Sequence, residues 1–240
     1  MSAALRLAGV RIEIGGRVLI PSLDLQVAPG ETVTLMGPSG AGKSTLLSFI
    51  GGTLGAPFRA WGRVWLGERE LGLLPAERRR IGILFQDDLL FPHLTVGENL
   101  AFGLTDSVRG RAARAARIEA ALLDAGLPGL ADRASTSLSG GERARIALMR
   151  LLLAAPGALL LDEPFNSLDA ARRAEFRRFV FEHARAAALP VLLVTHDEAD
   201  AEAAGGPVLE LSDEGPERSI RSRAGTAAGP SAAAVSRPAE

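Results

Sequence analysis

The 240-residue chain contains no cysteine, which rules out disulfides and thiolate metal sites. It contains no tyrosine, its only lysine is Lys43, and its only glutamines are Gln26 and Gln86. All other members of its 27 basic residues are arginine. A composition that replaces Lys, Tyr and Gln wherever chemistry permits makes each survivor informative, because it marks a position where the substitute fails. Lys43 is the strongest such marker. Net charge is nearly absent as well, at −1, which argues against a nucleic-acid partner bound through a large basic excess. Met1 to Leu7 has no apolar core of signal-peptide length. No unbroken apolar run reaches spanning length; the nearest, Ile146 to Leu161, is interrupted by Arg150 and Pro156. A role at a membrane therefore requires other chains that cross it.

What remains is ordinary globular material, 47% hydrophobic and 23% charged, enough for one large domain or two associated lobes. Residues 5–35 alternate apolar and polar in short runs separated by Gly15-Gly16 and Pro29-Gly30, the pattern of antiparallel strands. Thr32 to Met36 is a short buried strand ending at Gly37, followed by a helix from Lys43 to about Ile50. Arg63–Leu66 and Ile81–Phe85 are further strands. From about Asp87 to Leu153 the period becomes helical, over Val96–Leu104, Arg111–Ala125 and Glu142–Leu153. Apolar strands return at Ala158–Leu161 and Val191–Thr195, flanking a helix at about Ala170–Ala187. Continuous apolar strands alternating with helices indicate a parallel sheet covered on both faces. The pattern predicts an α/β domain over residues 1–212 with an inserted helical lobe at about 87–153. Residues 213–240, rich in Gly, Pro, Ser and Ala without periodicity, are expected to form a flexible low-complexity tail.

The segment Gly37-Pro38-Ser39-Gly40-Ala41-Gly42-Lys43-Ser44, with Thr45 following, fits the phosphate-binding loop pattern G-x-x-x-x-G-K-S/T between a strand and a helix. Its glycines let backbone N–H groups close on phosphate oxygens, and the helix adds its positive dipole end. Lys43 is placed to reach the β- and γ-phosphates of ATP, and Ser44 to ligate Mg²⁺. Ala158-Leu159-Leu160-Leu161-Asp162-Glu163 is an apolar strand ending in two carboxylates. Alone it is a strand with a solvated acidic turn; beside a phosphate loop, Asp162 suits the Mg²⁺ shell and Glu163 the polarisation of an attacking water. Leu138-Ser139-Gly140-Gly141-Glu142 opens a helix with a capping box between Ser139 and Glu142. Capping does not need the Gly-Gly pair, which bares N–H groups to an anion.

The order and spacing of the phosphate loop, LSGGE, LLLDEP, Ser167-Leu168-Asp169 and a strand ending at His196 resemble the ABC transporter ATPases over roughly residues 3–212. The resemblance implies a P-loop NTPase (RecA-like) core with a mostly parallel sheet, an N-terminal antiparallel β subdomain and an inserted α-helical subdomain. It implies an ATP-hydrolysing subunit that works as a head-to-tail dimer with a second copy of itself. Ser139, Gly140 and Gly141 then contact the ATP held by the partner's phosphate loop, and Asp169 reaches across the interface. His196 contacts the γ-phosphate and orients Glu163 and its water. Gln86, after the strand Ile81–Phe85, joins the Mg²⁺ region and reports nucleotide state to the membrane subunits. The segment from Phe85 to Val96 is similar to bacterial importer ATPases, in the group serving thiamine, iron and related small solutes. Transmembrane permease subunits and a solute-binding protein are the partners that this implies, with the chain on the cytoplasmic face of the membrane. Leu89, Leu90 and Phe91 are a candidate seat for a membrane subunit, against the alternative that they pack inside the helical lobe. Arg109, Arg111, Arg114 and Arg117 are expected to be a solvated helix face.

The family usually carries an aromatic residue that stacks on adenine, where this chain has Ile14 beside Gly15-Gly16, with no ring nearby in sequence. Glu142 stands where the family more often has glutamine. The competing reading is a non-transport ABC ATPase of DNA repair or the ribosome, but the chain has neither a coiled-coil insertion nor a second ATPase unit. A P-loop kinase would leave LSGGE and Ser167-Leu168-Asp169 unexplained.

Overall fold

A computed structural model of the chain describes residues 3–212 and 219–223. The chain forms two compact units. Among the described residues, the first comprises 3–83, 157–163, 181–212 and 219–223, and the second 84–156 and 164–180.

In the first unit, β1 (Leu5–Ile14) and β2 (Arg17–Val27) form a hairpin, and β4 (Phe58–Leu66) and β5 (Arg69–Glu70) extend it into a sheet of order β2-β1-β4-β5. All three pairings are antiparallel. Leu5, Leu7, Val10 and Ile12 are buried while Arg6 and Arg11 are exposed, so period-two patterning decides which face turns inward. With β6 at Ile81–Leu84 and β10 at Ser219–Ser222, the second sheet has the order β10-β9-β3-β8-β7-β6. Here β3 (Thr32–Met36) lies parallel to both β8 (Val191–Val194) and β9 (Val208–Ser212), and β7 (Ala158–Asp162) is parallel to β8. Strands β3 and β8 are buried along their whole length, as a sheet covered on both faces requires. The helix α1 (Lys43–Gly51) and Leu5, Val33, Leu160 and Leu192 share one apolar core.

The second unit is helical. Its core gathers Val96 and Leu100 of α2 (Val96–Gly103), Leu122 of α3 (Arg111–Asp124), and Ile146 and Met149 of α4 (Gly140–Leu153). The α5 helix (Ala170–Ala186) begins in this unit and ends in the first. The α6 helix (Glu198–Ala204) and strands β5, β9 and β10 lack the sequence length or periodicity to be read in advance.

The expected tail differs from the structure at residues 219–222, which form β10 (Ser219–Ser222) antiparallel to β9. Ile220 is buried in the main core, Ser212 Oγ lies 2.7 Å from Ser219 Oγ, and Arg223 pairs with Glu198 at 2.6 Å. One buried isoleucine on an alternating segment is enough to add an edge strand, and low-complexity composition around it hides the signal. Residues 213–218 and 224–240 of that expectation lie outside the described residues.

Candidate functional site

Strand β3 delivers the chain into the loop 37–42 at the carboxyl edge of the parallel sheet. Gly37 (φ 151°) packs so closely on β9 that a Cβ would stand 2.7 Å from Leu211 O. Gly42 (φ 99°) is the N-cap of α1 and approaches Leu19 of β2, where a Cβ would stand 3.0 Å from Leu19 Cβ. Neither position admits another residue without movement. Because Gly42 has no side-chain oxygen, the first turn of α1 starts without a side-chain cap, which leaves its N–H groups for an external anion. Pro38, Ser39 and Gly40 are exposed along this loop and Ala41 is buried beneath it. Lys43 Nζ donates to Gly37 O and Pro38 O, both at 2.9 Å, and so holds the loop in its curve. Burial lowers the Lys43 pKa, an effect partly offset by Glu163 and then Asp162.

Asp162 ends β7, and its Oδ1 accepts the Ser44 hydroxyl at 2.9 Å. Burial raises the Asp162 pKa, and Glu163 adds to the rise; the Ser44 hydrogen bond and Lys43 oppose it. Glu163 is held with φ 48°, a left-handed conformation, and its N–H donates to Val194 O of β8 at 2.9 Å. Such backbone costs on the order of 1–3 kcal/mol and is kept where its surroundings determine it. His196, two residues past β8, places Nδ1 at 3.3 Å from Glu163 Oε2, with its side chain 57% exposed. Three strands adjacent in the sheet, β3, β8 and β7, thus bring Lys43, Ser44, Asp162, Glu163 and His196 to one edge. That is the edge where open α/β sheets bind their ligands. Thr195 and Asp200, a bonded buried pair next to His196, carry no motif and were not legible in the sequence.

Two hard oxygens, from Ser44 and Asp162, already stand within hydrogen-bonding distance of each other. This donor set suits a small divalent cation such as Mg²⁺, which binds through one or two protein oxygens together with substrate phosphates. A cation would also offset the cost of the half-buried Asp162 charge.

Ile14 is half-buried at the end of β1, opposite Arg17 in β2 and Phe58 in β4. The sequence expectation of no ring near Ile14 fails in space. Antiparallel pairing brings Phe58 alongside from 44 positions further along the chain, which local inspection cannot see.

The remaining motif residues lie in the second unit. Gln86 is exposed and lines a cleft of about 110 Å³ with Asp87, Asp88, Gly140, Arg143 and Ser167. Ser139 caps α4: its Oγ accepts from Glu142 N at 3.4 Å, and its N–H donates to Glu142 Oε2 at 2.7 Å. The backbone and side-chain bonds from Ser139 hold the Glu142 carboxyl below its ordinary range. A Cβ at Gly140 would meet Leu168 Cδ2 at 3.8 Å, and one at Gly141 would meet Arg172 Cδ at 3.6 Å. Both are ordinary van der Waals contacts, so nothing described in this subunit demands glycine at either place. Asp169 caps α5, with Oδ1 accepting from Arg172 N at 3.1 Å. The apolar trio divides. Leu90 packs on the helical core, whereas Leu89 is 56% exposed and Phe91 meets the exposed Phe102 edge-on at 4.8 Å. Arg111 and Arg117 are solvated as expected, while Arg114 donates to Ala101 O at 3.0 Å.

A family model described as ABC transporter matches residues 20–166. The chain is 50% identical over 194 residues to the uncharacterized ABC transporter ATP-binding protein YnjD of Escherichia coli, covering 81% of this chain and 88% of that protein. It is 47% identical over 178 residues to the thiamine import ATP-binding protein ThiQ of Cereibacter sphaeroides, covering 74% and 76%. It is 41% identical over 215 residues to the Fe(3+) ions import ATP-binding protein FbpC 3 of Rhodococcus jostii, covering 88% of this chain and 60% of that relative. The chain thus spans about 60% of the length of the iron-import relatives it matches.

Proposed function

Because this chain belongs to the ABC transporter family of ATP-binding proteins, we propose that it powers a bacterial importer of a small solute, working as a head-to-tail dimer at the cytoplasmic face of the membrane. The observation that carries the reading is the cluster of Lys43, Ser44, Asp162, Glu163 and His196 at the carboxyl edge of strands β3, β8 and β7. The chain is an ATPase. The phosphates of ATP lie on the backbone N–H groups of residues 37–45, with Lys43 on the β- and γ-oxygens. Ser44 and Asp162 hold Mg²⁺, which when bound neutralises charge developing on the phosphates. Glu163 accepts a proton as water attacks the γ-phosphorus, ADP leaves with the electrons of the broken bond, and His196 orients Glu163 and the γ-phosphate. Gln86 is assigned to the Mg²⁺ region, and to reporting nucleotide state, by family resemblance alone.

Ser139, Gly140, Gly141 and Asp169 of one subunit complete the site of the other. Two unneeded glycines at a helix N-terminus support this, since they leave N–H groups open to an incoming phosphate. ATP then favours the closed dimer and hydrolysis releases it. The relatives named for iron and thiamine import support transmembrane permease subunits and a solute-binding protein as partners. No described helix is long and apolar enough to cross a membrane. The exposed Leu89 and Phe102 beside Phe91 are where a permease loop docks. The test is Glu163→Gln. Turnover falls by roughly 10²–10⁴, and the variant accumulates as a dimer in Mg-ATP. A variant that stays monomeric and hydrolyses at the parent rate removes Glu163 from the mechanism.

A further inference from the structure

We infer that Asp200 is a positioning residue for His196, acting through the hydroxyl of Thr195. The inference rests on the role proposed above for His196. Thr195 and Asp200 are both fully buried, and Thr195 Oγ1 donates to Asp200 Oδ2 at 2.6 Å. The same hydroxyl oxygen accepts the N–H of Asp197 at 3.0 Å. Thr195 N donates to Leu35 O of β3 at 3.4 Å. The residues on both sides of His196 are therefore fixed by one hydroxyl, and that hydroxyl is fixed by one carboxylate.

His196 needs such support. Its side chain is 57% exposed, so packing does not choose its rotamer, and its bond to Glu163 is a 3.3 Å contact. The direction of the ring is set by the turn that carries it. The helix that carries Asp200 has anchors of its own. Ala201 packs on Met36 and Val208, which anchors α6 by apolar contact, and Asp197 caps it through Ala199 N at 2.8 Å. Burying a carboxylate is costly where an apolar residue would pack. A carboxylate bonded to a hydroxyl next to a reactive turn is what fixing that turn requires.

The test is steady-state ATP turnover of the full chain. Thr195→Val and Asp200→Ala each lower kcat, by up to about 10²-fold as expected for misplacement by an ångström, with KM for ATP unchanged. Thr195→Ser and Asp200→Asn keep a hydroxyl and an acceptor oxygen, and they recover most of the rate. In a His196→Ala background, which is itself slow, Thr195→Val causes no further loss. If the loss recurs in full in that background, Thr195 acts on the fold at large and the inference is overturned. If His196→Ala alone turns over at the parent rate, the role of His196 fails and the inference falls with it. Should Asp200→Ala not fold, the Thr195→Val and Thr195→Ser pair decides the question.

Discussion

Ser139 serves two purposes that a pair of substitutions can separate. As an N-cap it accepts from Glu142 N at 3.4 Å, a long bond, so removing it in Ser139→Ala costs about 0.5–1 kcal/mol, the lower part of the range for caps. For a chain of this size each kcal/mol shifts Tm by about 2–4 °C, so Tm drops by about 1–4 °C. Against a total stability of about 5–15 kcal/mol, more than about 99% of the protein stays folded. If Ser139 also donates to the partner's γ-phosphate, each site loses a charge-assisted bond worth about 1.5–3 kcal/mol. A symmetric dimer has two such sites, so the ATP-dependent dimerisation constant falls by roughly 10²–10⁴ at about 1.4 kcal/mol per decade. A 1 kcal/mol cap defect cannot produce that loss. Ser139→Asp sharpens the contrast, because aspartate caps as well as serine but turns a negative charge towards the phosphate. Calorimetry and sedimentation in Mg-ATP, in a Glu163→Gln background, read the two quantities separately. The expected result is a Tm near the parent for Ser139→Asp together with loss of the dimer. A Ser139→Asp variant that dimerises like its parent would refute the phosphate contact and leave Ser139 as a cap alone.

Ile14→Tyr tightens ATP binding by roughly 1–3 kcal/mol if a ring at this hairpin end stacks on adenine; equilibrium nucleotide titration checks it, and unchanged affinity would mean that the base does not sit there. Asp162→Asn raises the thermal stability of the nucleotide-free protein while abolishing stabilisation by Mg-ATP. The sign follows from the raised Asp162 pKa: the cost of the ionised carboxylate is fully present above its folded pKa and is relieved as pH falls through the carboxylate range. The gain from Asp162→Asn therefore shrinks on acidification, as melting curves from pH 7 downward will show. Glu142 has the opposite sign. Its contribution is present above the ordinary glutamate pKa and disappears as pH falls through its depressed value, so Glu142→Gln flattens the acid limb of the melting profile.

The phosphate loop was legible because its chemistry is local: glycines, a lysine and a hydroxyl within eight positions. The carboxylates at Asp162 and Glu163 were legible because the strand before them is continuous and apolar. What escaped was built by pairing between distant segments. Phe58 reaches Ile14 through the β1–β4 register, and Leu211 backs Gly37 from β9; neither leaves a periodic or compositional trace. Thr195 and Asp200 are separated by only four residues, yet a threonine and an aspartate near a helix start look like ordinary capping until burial shows them facing each other. β10 was missed because a four-residue strand with one buried apolar side chain lies inside a stretch that composition alone assigns to a tail.

The solitary lysine has a chemical corollary. Lys43 carries the only side-chain amine in the chain, and that amine is folded against Gly37 and Pro38 in the phosphate loop. Apart from the chain terminus, every amine-directed reagent, acylating enzyme or crosslinker therefore has one target. An amine label on an internal residue reports on a single position, and its protection by nucleotide measures occupancy without any engineered probe. The same fact confines lysine acetylation and ubiquitin attachment, which in most proteins fall on dispensable surface sites, to the one residue whose loss removes the phosphate grip.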